Sequence, residues 1–229
     1  MRNDHLPVQA DGTIRPGGFT ITDRAIRYCK FQSQARIADI GCGLGATVSY
    51  LIKEYGLSAV GLEKNAGLLD EAREMVGKRT GEGIATEELL LHGDALTMPF
   101  ADNSYDGLLF ECSFSKMEPS QTIMSECQRV LKPGGYWMCA DLYARKEPAA
   151  ARSETIGRLD TQQMIVDRAN DYGFTVCFFE DHTTALQAMV GQMILDEGLE
   201  SVERSMGVSH GELRAMGCGY YLMIARREV

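Results

Sequence analysis

Three carboxylates stand at comparable places along the chain. Asp39 lies in ADIGCGLGAT (38–47), Glu63 closes SAVGLE (58–63), and Asp94 closes ELLLHGD (88–94). Each ends a short apolar run, so each should sit at the end of a strand. In an open α/β sheet, ligands bind beyond the carboxyl ends of the strands. Three acids around one crevice would suit a cation and repel a pyrophosphate, because like charges repel strongly where water is scarce. Gly41, Gly43 and Gly45 follow Asp39, with the small Cys42 between the first two. Such glycines allow a tight turn and close approach of a ligand to the backbone.

The elements that must position these acids alternate regularly. Apolar runs predict strands at 36–40, 58–63, 88–94, 105–113, 135–143, 174–182 and 219–227. Helical spacing falls between them, at 45–55, 65–78, 119–131 (stopped by KPGG) and 158–172. Short apolar strands alternating with helices predict an α/β fold. The sheet should be doubly wound, Rossmann-like, seven-stranded and mostly parallel, with helices on both faces. The last strand follows the sixth without a simple crossover helix, so it is expected to run antiparallel. Thr20 and Asp23 resemble a capping box that opens a first helix. The organisation expected is an N-terminal arm and helix (1–34) covering the ligand site, then one domain (35–229) with an insertion at 183–218. Leu186, Met189, Val190, Met193 and Ile194 make a helical stripe in that insertion, which is expected to cover an acceptor pocket.

Bulk properties remove several classes. A chain of 229 residues with 45% hydrophobic and 24% charged residues is an ordinary globular composition. A formal net charge of −9 argues against nucleic-acid binding. No apolar run reaches the roughly 18–20 residues of a membrane span, and the N-terminus shows no secretory signal, so a cytoplasmic location without membrane attachment is expected. The seven cysteines contain no CxxC pair, and no metal-ligand spacing appears, so no metal is expected.

GCGLGA also fits the dinucleotide pattern with Ala46 as its last member, and Glu63 lies about 20 residues on. The glycines and that acid alone therefore leave an NAD-dependent oxidoreductase open. The ring of acids favours S-adenosylmethionine (SAM), which carries an ammonium and a sulfonium and no phosphate. Asp39 can face the ammonium side, and Glu63 can accept from both ribose hydroxyls. Asp94 can accept from the adenine amino group, with the Ala95 N–H facing a ring nitrogen.

Taken together, ADIGCGLGAT, VGLE, GDALTMPFADNSYD and RVLKPGG resemble the successive motifs of class I SAM-dependent methyltransferases of the small-molecule type, such as those of quinone biosynthesis. The resemblance is close over about residues 36–142. It implies that Asp39, Gly41, Cys42, Gly43 and Gly45 contact the methionine part of SAM, that Glu63 binds ribose, and that Asp94 and Ala95 bind adenine, flanked by Lys64 and Leu96. In FECSFSKME (110–118), Glu111, Cys112 and Ser113 should pass under the methionine, and Phe114, Lys116 and Met117 should face the acceptor, as should Tyr143. The product would be S-adenosylhomocysteine (SAH).

Methyl transfer is an in-line displacement at an already activated carbon, so the protein must mainly position the acceptor and exclude water. A base is needed only for a protonated nucleophile. The candidates are His182 and Asp141, both at strand ends. The segment after the fourth strand is not the N/D-P-P-Y/F type of amino-group methylases of DNA and of protein glutamine. No Pro-Cys dipeptide exists, so the cytosine C5 nucleophile motif is missing. A small-molecule acceptor is expected. A SAM- or SAH-binding protein without transferase activity stays open, as does the oligomeric state.

Overall fold

RIADI forms β1 (Arg36–Ile40), and its alternation sets the layers. Ile37 packs on one face of the sheet, Ala38 and Ile40 on the other, as a two-residue side-chain period requires. The computed structural model describes residues 12–80, 85–146, 152–153, 156–207, 209–215 and 217–229. Part of the expected N-terminal arm lies outside them.

After α1 (Gly18–Cys29) and β1 come α2 (Ala46–Tyr55), β2 (Ser58–Glu63), α3 (Ala66–Thr80), α4 (Thr86–Leu89) and β3 (Leu90–His92). Next are β4 (Tyr105–Glu111), α5 (Ser120–Val130) and β5 (Leu131–Ala144). The short β6 (Arg152–Ser153) and β7 (Gly157–Arg158) pair only with each other. The chain ends with α6 (Gln162–Asp171), β8 (Phe174–Asp181), α7 (Thr183–Glu197), α8 (Leu199–Met206), α9 (His210–Ala215) and β9 (Cys218–Arg227).

The main sheet has seven strands in the order β3-β2-β1-β4-β5-β9-β8. β1 through β5 run parallel, and β9 lies antiparallel between β5 and β8, as the sequence predicts. α1, α2 and α3 cover one face through Ile21, Ala25, Val48, Leu51, Leu69, Ala72 and Val76. α5 and α6 cover the other through Ile123, Met124, Cys127, Ile165 and Ala169. From β1 the chain steps outward to β2 and β3, then returns to β4 on the opposite side of β1. The strand order reverses between β1 and β4, and that switch point is where such sheets open a crevice.

Some local expectations change. α1 begins at Gly18, with Gly17 at its N-cap and no side-chain cap. The Thr20–Asp23 capping box is therefore absent. Asp23 instead accepts hydrogen bonds from the Tyr50 and Tyr55 hydroxyls, each at 2.7 Å, and ties α1 to α2. The strand expected at 88–94 is only Leu90–His92, because Thr86–Leu89 winds into a helical turn. The insertion holds three helices. Leu186 and Met193 of the predicted stripe are buried, and Met189, Val190 and Ile194 pack partly buried against the cores beneath α7.

Candidate functional site

At the switch point lies a cavity of about 510 Å³, within the size range of small-ligand sites. Its wall is built from the ends of β1, β2 and β4, the turn after β3, and the segment before α1.

The turn after β1 is strapped to its neighbour strand: the Gly41 and Cys42 N–H groups both donate to the Leu62 carbonyl, at 2.8 and 3.2 Å. Gly43 has φ +53°, and a Cβ added there would meet nothing within 4 Å. Its backbone thus borders open space in a conformation that disfavours a side chain. At Gly45 a Cβ would come within 2.7 Å of Val76, so that glycine serves helix packing instead. The Cys42 sulfur sits over Gly61 of β2, where an added Cβ would be 2.5 Å away.

Glu63, Asp94 and Asp39 all line the cavity. Glu63 bridges two loops, accepting from the Gly43 N–H at 3.1 Å and the Asn65 N–H at 2.9 Å. Asp94 caps the 3-10 turn Ala95–Thr97 by accepting from the Leu96 N–H, and Lys64 Nζ lies 2.7 Å from it. That N–H first, and Lys64 next, hold its carboxyl below the usual carboxylate range. Asp39 is 3% exposed. Burial pushes its carboxyl well up, Glu111 and Glu63 push further, and Arg15 opposes them.

Glu111 ends β4 and is held by three donors. Arg15 lies 2.9 Å away, Thr22 Oγ1 donates at 2.7 Å, and Thr47 Oγ1 donates at 2.8 Å. Arg15 also donates to Thr22 at 2.8 Å. The sequence places Arg15 and Thr22 only within the covering arm and helix, and it gives none of Arg15, Thr22 and Thr47 a contact of its own. The available signal was indirect: a glutamate at a buried strand end must find donors. Gly12, Thr13 and Ile14 join Arg15 in lining the cavity.

Past β4 the chain turns sharply. Cys112 has φ +53°, which is uncommon for a residue with a Cβ. Its N–H donates to the Ala140 carbonyl at 2.8 Å and its thiol to Tyr220 at 3.4 Å, and burial pushes that thiol up to about 12. The Ser113 hydroxyl donates to the Ile40 carbonyl at 2.7 Å and braces β4 against β1 across the switch point. Cys112, Ser113, Lys116, Met117, Ala95 and Leu96 all line the cavity.

Five predicted residues do not line it, the first being Gly45, which packs against Val76 instead. Phe114 is buried among Phe110 and Trp137. Tyr143 packs on Phe179 and Tyr221, and its hydroxyl donates to Asp181. Asp141 is 2% exposed and accepts from Ser115 N–H, Ser115 Oγ and Leu142 N–H. His182 lies beside Glu180, 3.2 Å away, which in turn meets Arg24. The reason is topological: these strand ends do lie on the ligand side of the sheet. β5 is one strand removed from the switch, and β8 is three. Among the described residues no three His, Cys, Asp or Glu side chains could together hold a metal, and no helix is long and apolar enough to cross a membrane.

Residues 38–139 match the model of a methyltransferase domain. The strand order and the motif order are those expected of a class I SAM-dependent methyltransferase domain. Within that class, methyltransferase GfsG of Streptomyces halstedii is 28% identical over 132 residues, covering 58% of this chain and 46% of GfsG. The chain spans about half or less of the length of the first curated relatives it matches. Two solved structures share the fold. Phosphoethanolamine N-methyltransferase 2 of Haemonchus contortus, in complex with phosphomonomethylethanolamine and SAH, superposes with TM-score 0.76 at 17% identity, covering 95% of this chain and 54% of that one. The [4+2]-cyclase SpnF superposes with TM-score 0.73 at 19% identity, covering 92% and 80%.

Proposed function

We propose that this protein transfers a methyl group from SAM to a small-molecule acceptor, releasing SAH. The observation that carries the reading is the acid set Asp39, Glu63 and Asp94, at or just past the ends of adjacent strands around one cavity. The residues fit the cofactor. Glu63 offers its carboxylate to the ribose hydroxyls, in charge-assisted bonds worth about 1.5–3 kcal/mol each. Asp94 and the turn it caps take the adenine edge. The open backbone at Gly43 and the buried Asp39 take the amino-acid end. When bound, SAM supplies a methyl carbon activated by its sulfonium. The chain's own part is to aim the acceptor, through the segment Cys112–Met117 and the residues before α1, and to exclude water.

A phosphorylated amine such as that in the Haemonchus contortus complex illustrates the size of acceptor meant. The acidic net charge supports an acceptor other than nucleic acid. All seven cysteines are free thiols, which supports a reducing compartment, the cytoplasm. The segment before α1 closes one side of the site, whereas none of the described residues of the 183–218 insertion lines the cavity.

A second reading has one observation in its favour. Neither His182 nor Asp141 reaches the cavity wall, so a SAM- or SAH-binding protein without transfer activity also fits. Transfer of tritiated methyl from SAM to a fractionated cell extract separates the two. Label in a small-molecule fraction is expected; SAM binding without label in any fraction supports the second reading. Binding of NAD(H) with indifference to SAM overturns both.

A further inference from the structure

The amino-acid end of the cavity is a small buried charge cluster. Asp39 is faced by Glu111 from β4, Arg15 from the segment before α1, Glu63 from β2 and Cys42 from the glycine turn. Arg15 is also faced by Tyr220 and Cys112. The Arg15 and Glu111 side chains are 8% and 4% exposed. The guanidinium is committed to Glu111, directly at 2.9 Å and through Thr22. Asp39 is acted on by burial and by the charges of Glu111, Arg15 and Glu63, without a hydrogen-bonded cation among the described residues. Among the described residues two buried acids thus share one guanidinium, and the acid not bonded to it faces the cavity.

A buried carboxyl group stays ionised only when paired, and otherwise keeps its proton. Within the SAM reading, on which this inference rests, the missing partner is the ligand's ammonium. We propose that Arg15 is a specificity-determining positioning residue. By pairing with Glu111 it leaves Asp39 as the buried acid without a hydrogen-bonded cation among the described residues, so this end of the site selects adenosyl ligands whose amino-acid head brings an ammonium. An adenosyl thioether without the amino-acid head gains nothing from the cluster.

The direction of proton linkage follows. Asp39 must lose its proton to receive an ammonium, so affinity for an amino-acid-bearing ligand falls as pH drops through the range where Asp39 protonates. Removing the Arg15 cation moves that falling limb to higher pH. Removing the neighbouring acid Glu111 moves it to lower pH.

The test is calorimetric titration of SAH and of methylthioadenosine, which lacks the amino-acid head, from about pH 5 to about pH 8.5. The proteins are wild type, Arg15→Gln, Arg15→Lys and Glu111→Gln. In Arg15→Gln, SAH should bind tenfold or more weakly at neutral pH, with its limb moved up, while methylthioadenosine changes less than twofold. Arg15→Lys should restore most of the SAH affinity, and Glu111→Gln should move the limb down. Equal weakening of both ligands in Arg15→Gln, or an unmoved limb, means that Arg15 only braces the fold and overturns the inference. If Arg15→Gln does not fold, an unmoved limb in Glu111→Gln overturns it equally. Wild-type protein that fails to bind SAH at any pH overturns the SAM reading itself, a distinct result.

Discussion

Two aspartates of nearly equal burial behave in opposite ways. Asp39, in the cavity wall, is 3% exposed, and Asp160, just after β7, is 5% exposed. Burial alone raises both carboxyls. At Asp160, hydrogen bonds from Arg168 and Arg158, each 2.6 Å, outweigh burial and hold the carboxyl below its ordinary value. Arg158 also reaches Glu118, so two acids there meet two arginines. At Asp39 two acids meet one arginine, and the carboxyl is driven up. Solvent exposure alone does not distinguish a brace from a receptor; depth and hydrogen-bonded counter-charges do. The balanced cluster fastens the β5–α6 connection to the rim residue Glu118. The unbalanced one is complete only with a cation from outside.

The comparison can be broken first at its balanced half. Asp160→Asn takes the shared acid from two partly buried guanidiniums, leaving Arg168 without it and Arg158 with Glu118 alone; breaking a fully buried pair costs about 3–5 kcal/mol, and this cluster should approach the lower end. The expected result is a large drop in melting temperature with SAH affinity per folded molecule unchanged. Because the folded-state value of Asp160 lies below the unfolded one, its stabilisation is present above the unfolded carboxyl's value of about 3.9 and is lost as pH falls below that. An Asp160→Asn protein as stable as wild type at neutral pH would remove the contrast.

The unbalanced half has the opposite sign. The folded value of Asp39 is raised, so without ligand the protein loses stability as pH rises from the unfolded value through the folded one. Asp39→Asn should therefore stabilise the ligand-free protein at neutral pH while weakening SAH about tenfold to a hundredfold, about 1.4–2.8 kcal/mol. A variant that melts lower and binds SAH as wild type does would make Asp39 structural.

Glu63 gives the smallest effect of the three. It is half-buried and holds two backbone N–H groups. Glu63→Ala should weaken SAM about tenfold, near 1.4 kcal/mol, and shift the melting temperature little. Unchanged affinity would mean that ribose lies elsewhere.

What was legible in the sequence divides along the same line. The seven strands and the glycine turn could be read because short apolar runs and positive-φ glycines are local signals. Asp39, Glu63 and Asp94 could be read because strand ends in a parallel sheet share one rim. His182, Asp141 and Tyr143 were placed on the correct side of the sheet but too far along it, since strand order is not local: β9 inserts between β5 and β8 and displaces β8 from the switch point. Phe114 follows Cys112 by two residues, and the turn at Cys112 sends its ring into the core. Arg15 was missed because its partner Glu111 is 96 positions away, and nothing near RPGG announces a buried ion pair.

The account rests on Asp39 being completed by a cation, and one measurement addresses that directly. SAH is titrated calorimetrically at several pH values from about 4.5 to about 8 in buffers of different ionisation enthalpy, so that the protons exchanged on binding are counted across the range where Asp39 titrates. Net proton release is expected with wild-type protein, as Asp39 ionises against the incoming ammonium, and the release should vanish in Asp39→Asn. Binding with no proton release, or with the same release in both proteins, would contradict the account.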